Sequence, residues 1–340
     1  MPAITAVLPL PSALVEKMAD HRSKQRVVLS LLAKYGTIFG LFIMAGIFSV
    51  LAPNAFPTFG NLLNVLNQAS LTMIIAGGLT VAVVVGELDL SIGFAASYAG
   101  VLVTGLIANQ GVPVLLAILL VLGCGGLIGL VNGLIVTKMR VNSVIATLGI
   151  GTIVVGLNFA YSTGAPIVAG VPDSFTQIAL GRIWGVPNNV LLTAGLVTVL
   201  WILVERTPIG QSIQAVGANP VAARLCGIRV DRIKILGFII AGVCASLTGI
   251  LLASSLGSGT TGAGDSYLLA AFAAVFLGSA TLRDGEFHIL GTCIGVLIIA
   301  VGFNGLAIFG AATFYQYLFQ GVILILAVGL SSLSRYFAEK

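Results

Sequence analysis

Long apolar runs broken by short polar stretches organise this chain from about residue 36 onward. Helical spans of about 17–25 residues fit these runs, and ten can be placed: 36–52, 61–85, 91–108, 112–137, 142–162, 188–205, 235–256, 267–281, 288–308 and 313–333. The runs are continuous in hydrophobicity and do not alternate, so they do not fit β-barrel strands. The pattern predicts an all-α polytopic membrane protein with about ten transmembrane helices. It divides the chain into an N-terminal segment 1–35, a transmembrane domain 36–333 and a short tail 334–340. The two longest polar interruptions are 163–187 and 206–234.

Composition strengthens this picture. The chain is 58% hydrophobic and 8% charged, with a mean hydropathy of +1.12. A soluble protein of this composition would expose large contiguous apolar patches. The 43 glycines predict helices packed closely through small residues.

Charge orients the spans. If the N-terminus is cytoplasmic, fifteen of the 16 Lys and Arg residues lie inside and Arg182 alone lies outside, a strong positive-inside asymmetry. Both termini and the 206–234 loop are then cytoplasmic, and 163–187 is external. Bases spread over several loops argue against nucleic-acid binding. The N-terminal segment does not resemble a signal peptide. It reads either as a basic amphipathic helix on the inner surface or as an unstructured basic leader. Cys124, Cys226, Cys244 and Cys293 are scattered without a CxxC pair, so neither a disulfide nor a metal site is expected.

The stretch Arg206–Lys234 holds five of the 16 Lys and Arg residues. Within it, Asn219 can cap a helix whose first position is Pro220, and Gly227 can supply the left-handed residue that ends it. A capped two-turn helix between spans suits docking to another protein. The basic tail Arg229–Lys234 reads as the inner-surface anchor of the seventh span.

Gly86-Glu87-Leu88-Asp89-Leu90-Ser91-Ile92-Gly93 interrupts the apolar region between spans two and three. Its glycines permit a tight or broken backbone. Asp89 or Ser91 can cap the following span; a gate, an ion or proton site and a subunit contact are the alternatives. Asn64 and Gln68 share a face at the outer end of span two, and Asn158 and Asn304 lie in outer halves of other spans. These amides can line a path for hydroxyl-rich solutes or bond neighbouring helices. The turn Arg283–His288 is either a second partner contact or a solvated turn, and His288 fits a capping or interfacial role.

Asn132-Gly133-Leu134 and Asn304-Gly305-Leu306, with Asp89 and Asp265 at comparable distances before them, suggest that spans two to five repeat as spans seven to ten, inverted in the membrane. Chance recurrence in a Gly- and Leu-rich chain is the other reading. No phosphate-cradling GxxxxGK[ST] loop occurs, so any ATP hydrolysis must come from another subunit.

Three segments together resemble the permease subunits of ribose-type sugar ABC importers. Gly86–Gly93 is similar to that family's G-[GE]-[IL]-D-L-S-[VI]-G element. Ala215–Ile228 is similar to its cytoplasmic A-x-G-x-N-x-x-A-A-x-x-x-G-I segment, and Ala271–Gly278 with Gly285 to its AIAAVVLGG…GG stretch. Phe314–Gln316 also fits. Ser279 stands where a second Gly is common, and Glu87 where Gly is frequent. The resemblance spans about residues 36–333 and implies an importer in a bacterial inner membrane. By the same resemblance, a second permease subunit, identical or related, is expected to complete the pathway. A cytoplasmic ATPase is expected to use ATP and Mg, with no cofactor on this chain, and a periplasmic binding protein to deliver a pentose, hexose or polyol. It further implies that Asn219, Pro220, Ala222, Ala223, Arg224 and Gly227 form the coupling helix seated in the ATPase. From the residues alone, an ion-gradient-driven transporter with Glu87 and Asp89 as coupling sites is the alternative.

Overall fold

The computed structural model describes residues 35–279, 281–282 and 285–338. The basic stretch before residue 35 lies outside the described residues, as do Arg283 and Asp284 of the charged turn. Each of the ten apolar segments falls on a helix: α1 Tyr35–Leu51, α2 Phe59–Val84, α3 Ile92–Ala108, α4 Val114–Lys138, α5 Ser143–Ser162, α7 Asn188–Arg206, α10 Val230–Leu256, α11 Ser266–Ser279, α12 Ile289–Ile308 and α13 Thr313–Ala338. Six of these are long and apolar enough to cross a membrane, namely α2, α4, α5, α7, α10 and α12; the apolar parts of the other four are shorter. The polar interruptions hold α6 Asp173–Leu180, a two-stranded hairpin of β1 Arg182–Ile183 and β2 Val186–Pro187, α8 Pro208–Ala218 and α9 Pro220–Leu225. Strands β1 and β2 pair antiparallel, Arg182 opposite Pro187.

Local chemistry sets several of the boundaries. Thr58 Oγ1 accepts from Asn61 N at the start of α2, and Asn142 Oδ1 accepts from Val144 N at the start of α5. His288 starts α12: its Nδ1 accepts from Gly291 N at 2.6 Å, which leaves Nε2 to donate to the Thr281 carbonyl at 3.0 Å. The capping role expected of His288 is therefore its geometry here. Helix α10 begins at Val230, five residues before the predicted span, so Asp231–Lys234 form its first turn.

Helix α10 runs through the centre and packs on α2, α3 and α4. In the same manner α2 packs on α10, α11 and α12; α3 packs on α5, and α11 on α13. The α4–α10 contact is made by small residues. Gly125, Gly129 and Gly133 recur every fourth position on one face of α4, where a Cβ would collide with Ser246, the Phe238 carbonyl and Ile235 respectively. Such closeness is typical of helices that gain no hydrophobic drive from their solvent and associate by backbone contact. The opposite face of α4 exposes Leu127, Val131 and Leu134, and α5 exposes Ile145, Leu148 and Ile153.

Candidate functional site

The 206–234 stretch folds as an arm of two short helices. Thr207 caps α8, its Oγ1 accepting from Gly210 N at 3.1 Å, and Ile213 and Val216 bury its inner face. Gln214 Nε2 donates to the Val204 carbonyl at 2.8 Å and ties α8 back to α7. Asn219 ends α8 and caps α9: its Oδ1 accepts from Val221 N and Ala222 N, each at 3.0 Å. Pro220 occupies the first helical position, and Gly227 turns the chain away at φ +85°. Two backbone donors are thus satisfied in a helix too short to be stable alone.

The outward face of α9 differs from the one expected. Ala223, placed above among the contact residues, is 4% exposed and packs into the cluster containing Val216 and Val230. Helical geometry turns Val221 and Leu225, four residues apart, outward instead, at 69% and 85% exposure. Ala222, Arg224 and Gly227 are exposed as well. This apolar pair at i, i+4 within a polar loop was a legible signal for a docking face that the sequence reading passed over.

The arm leans on the loop between α2 and α3. A Cβ at Gly217 would run into the Val84 carbonyl, and Gly217 Cα lies against Gly86, which itself sits at φ +93°. Only glycine permits this approach of the end of α8 to the end of α2. Beside it, buried Glu87 forms an ion pair with Lys234 in the first turn of α10. A cavity of about 920 Å³ opens on one side of Glu87, between the ends of α2 and α8 and the Gly285–Phe287 turn.

Within the loop, Asp89 is fully buried. Its Oδ1 accepts from Ser91 N at 2.9 Å and Ser91 Oγ at 2.6 Å. Asn132 Nδ2 of α4 donates to the same Ser91 hydroxyl at 2.8 Å. Of the two caps considered for α3, Asp89 therefore takes a backbone donor, whereas the Ser91 side chain makes no cap bond; its hydroxyl donates to Asp89 and accepts from Asn132. From α5, Thr147 Oγ1 accepts from Leu90 N at 3.0 Å and Ser143 Oγ from Leu88 N at 3.4 Å; neither residue was marked in the sequence. Gly93 lets α3 approach Asp265 and Leu268 at the start of α11. Asp89 Oδ2 and Asn132 Oδ1 are buried without a hydrogen-bond partner among the described residues. Burial pushes the Asp89 carboxyl up to about 6, against the lowering effect of its bonds from Ser91.

The outer amides separate into two groups. Asn304 and Asn61 exchange two bonds of 3.0 Å, and Asn67 Oδ1 accepts from Asn189 Nδ2 at 3.4 Å, so these residues join helices. Asn158 is buried, with Oδ1 lacking a hydrogen-bond partner among the described residues. Asn64 and Gln68 are exposed on one face of α2.

Apolar helices packed through glycine, polar breaks pinned by buried side chains and an exposed two-helix arm define a polytopic α-helical membrane protein. The chain belongs to the family described as "Branched-chain amino acid transport system / permease component", whose model matches residues 61–328. It is 38% identical to the ribose import permease protein RbsC of Bacillus subtilis over 296 residues, 87% of this chain and 91% of that protein. It is 36% identical to the ribose import permease protein RbsC of Escherichia coli over 295 residues, 86% of this chain and 91% of that one. The D-allose transport system permease protein AlsC of Escherichia coli is 33% identical over 300 residues, 88% of this chain and 92% of its own length. No solved structure matches the chain.

Proposed function

We propose that this chain is the membrane-spanning subunit of an ATP-driven importer for a monosaccharide, pentose or hexose, or a related polyol. The relatives named for ribose and D-allose support that substrate class. A binding protein on the outer side delivers the solute, a second permease subunit completes the pathway, and a separate cytoplasmic ATPase consumes ATP and Mg. This chain performs no hydrolysis. Ten helices, α1–α5, α7 and α10–α13, cross a bacterial inner membrane with both termini and the α8–α9 arm inside.

The observation that carries the reading is the arm. A helix of only six residues is held rigid by Asn219 and turns Val221 and Leu225 to solvent. Burying that apolar pair against a partner is favourable. The end of the arm abuts Val84 through Gly217, and Lys234 of α10 grips Glu87. Displacement of α9 by the ATPase therefore passes directly to the inner ends of α2 and α10, and through the loop's bonds to α4 and α5. The inverted repeat is supported by the matching partnerships of α2 and α10 with their neighbours. Its axis relates Asn132 on α4 to Asn304 on α12, and rocking of one unit against the other is the motion such repeats permit. Exposed Asn64 and Gln68 are then the pathway amides, whereas buried Asn304 serves the helix contact with Asn61.

Uptake of labelled ribose or allose into vesicles tests the proposal. With an ATPase subunit, a binding protein and internal ATP, uptake proceeds and survives collapse of proton and sodium gradients. Gradient-dependent uptake by this chain alone would overturn it in favour of an ion-coupled carrier.

A further inference from the structure

A groove of about 1280 Å³ lies between the α4–α5 turn and the α9–α10 segment. Six bases line it: Lys138, Arg140, Arg224, Arg229, Arg232 and Lys234. Among the described residues two carboxylates face them, and both are engaged. Glu87 is paired with Lys234, and Asp231 with Lys138 at 2.9 Å and Arg224 at 3.7 Å. Arg140, Arg229 and Arg232 are exposed and make no ion pair among the described residues. Arg140 adopts φ +57°, a left-handed conformation uncommon for a residue with a Cβ.

We propose that this groove binds the phosphate of an anionic phospholipid headgroup. Guanidinium forks match phosphate oxygens geometrically, and three unpaired arginines around one concavity form a receptor for that group. The surface leading into the groove identifies the source as lipid. Leu127, Val131 and Leu134 form an exposed apolar stripe that continues along the same face of α4 to Lys138 at the groove wall. Ile145 and Leu148 do the same from Asn142 on α5. Acyl chains on these stripes place their headgroup at the bases. Leu225, the most exposed apolar residue of α9, lies outside the groove, whereas Val221 and Arg224 line it, so a lipid headgroup here sits beside the face that α9 offers a protein partner and shares Val221 with it. The inference requires that α4 and α5 cross the membrane; it does not depend on ATP-driven uptake or on the sugar.

The test mixes the full chain, purified in detergent, with phosphatidylglycerol and phosphatidylcholine of identical acyl chains and counts retained lipid by native mass spectrometry. We expect a preference for phosphatidylglycerol of at least about tenfold. The triple variant Arg140→Gln, Arg229→Gln and Arg232→Gln should bring it near unity, and the triple Lys variant should restore much of it. Millimolar inorganic phosphate or glycerol phosphate should not displace the lipid; displacement would assign the groove to a free anion and overturn the lipid reading. An unchanged preference in the Gln variant also overturns it, and if ATPase binding or dimerisation falls instead, the groove belongs to a protein partner. Should the Gln variant fail to fold, phosphatidylglycerol carrying a photoreactive headgroup should label residues 138–145 or 224–234 of the native chain, and labelling confined elsewhere refutes the proposal.

Discussion

Asp89 shows how a single side chain separates a structural role from a transport role. Its carboxyl is enclosed, one oxygen is held by Ser91 and the other has no hydrogen-bond partner among the described residues. With a folded value of about 6 against the ordinary 3.8, the fold favours the protonated acid. The resulting cost to folding is absent below pH 3.8, where the acid is protonated in both states, grows as pH rises from 3.8 to 6, and is complete above 6. An amide at this position can keep its oxygen on Ser91 and present a donor where the acid carries its proton. Asp89→Asn should therefore raise thermal stability in detergent at pH 8, with the gain over wild type closing below pH 6. ATP-driven uptake should persist within a few-fold. Abolished uptake in a well-folded Asn variant would show that the charge itself is used, as an ion-coupled carrier requires.

At the scale of elements, the α8–α9 arm is the part on which the proposed coupling turns. Asn219→Ala removes two cap bonds, a change worth about 1 kcal/mol in a helix of this kind. For six residues with little stability of their own, that loosens α9 and should lower co-purification of the ATPase subunit several-fold, whereas Asn219→Asp should retain it. Leu225→Glu leaves the cap intact but places charge in the docking face, and should abolish co-purification while the purified chain keeps its unfolding temperature. Normal docking of Leu225→Glu would move the contact off this face. Much of the arm was legible from residue types: Asn219, Pro220 and Gly227 marked the start and end of α9, and His288 its capping role at α12. The inward turn of Ala223 was not legible, because which face of a two-turn helix is buried depends on where Val216 and Val230 stand in space. Helix α8 was missed because its apolar positions are interleaved with Gly and Gln, and its burial comes from tertiary contact. Likewise nothing local tells that Ser143 and Thr147 would reach Leu88 and Leu90, or that Lys234 would find Glu87; these depend on α5 and α10, both distant in sequence, each meeting the α2–α3 loop.

The whole molecule is ordered by one asymmetry, basic loops at one end of the helices and Arg182 alone at the other. In the proposed orientation the inner end carries α9 and the outer end carries the β1–β2 hairpin, whose Trp184 is 99% exposed. The arm and the hairpin are separated by α7 alone, which is long and apolar enough to cross a membrane, so they lie on opposite sides wherever α7 crosses, and which of them faces inward rests on the charge asymmetry. Cys226, directly after α9, is the exposed cysteine, while Cys244 is buried and Cys124 and Cys293 are partly covered. A membrane-impermeant maleimide should leave Cys226 unmodified in intact spheroplasts and modify it in inside-out vesicles, with Cys226→Ser removing that signal. A Trp184→Cys variant built on Cys226→Ser should give the opposite pattern. Addition of the ATPase subunit to inside-out vesicles should slow Cys226 modification, since the partner seated on Val221 and Leu225 would cover the next turn. Labelling of Cys226 from the outer side would reverse the molecule in the membrane and remove α9 from any cytoplasmic ATPase, and labelling of both sites from one side would mean an even number of crossings between them, against the single crossing of α7.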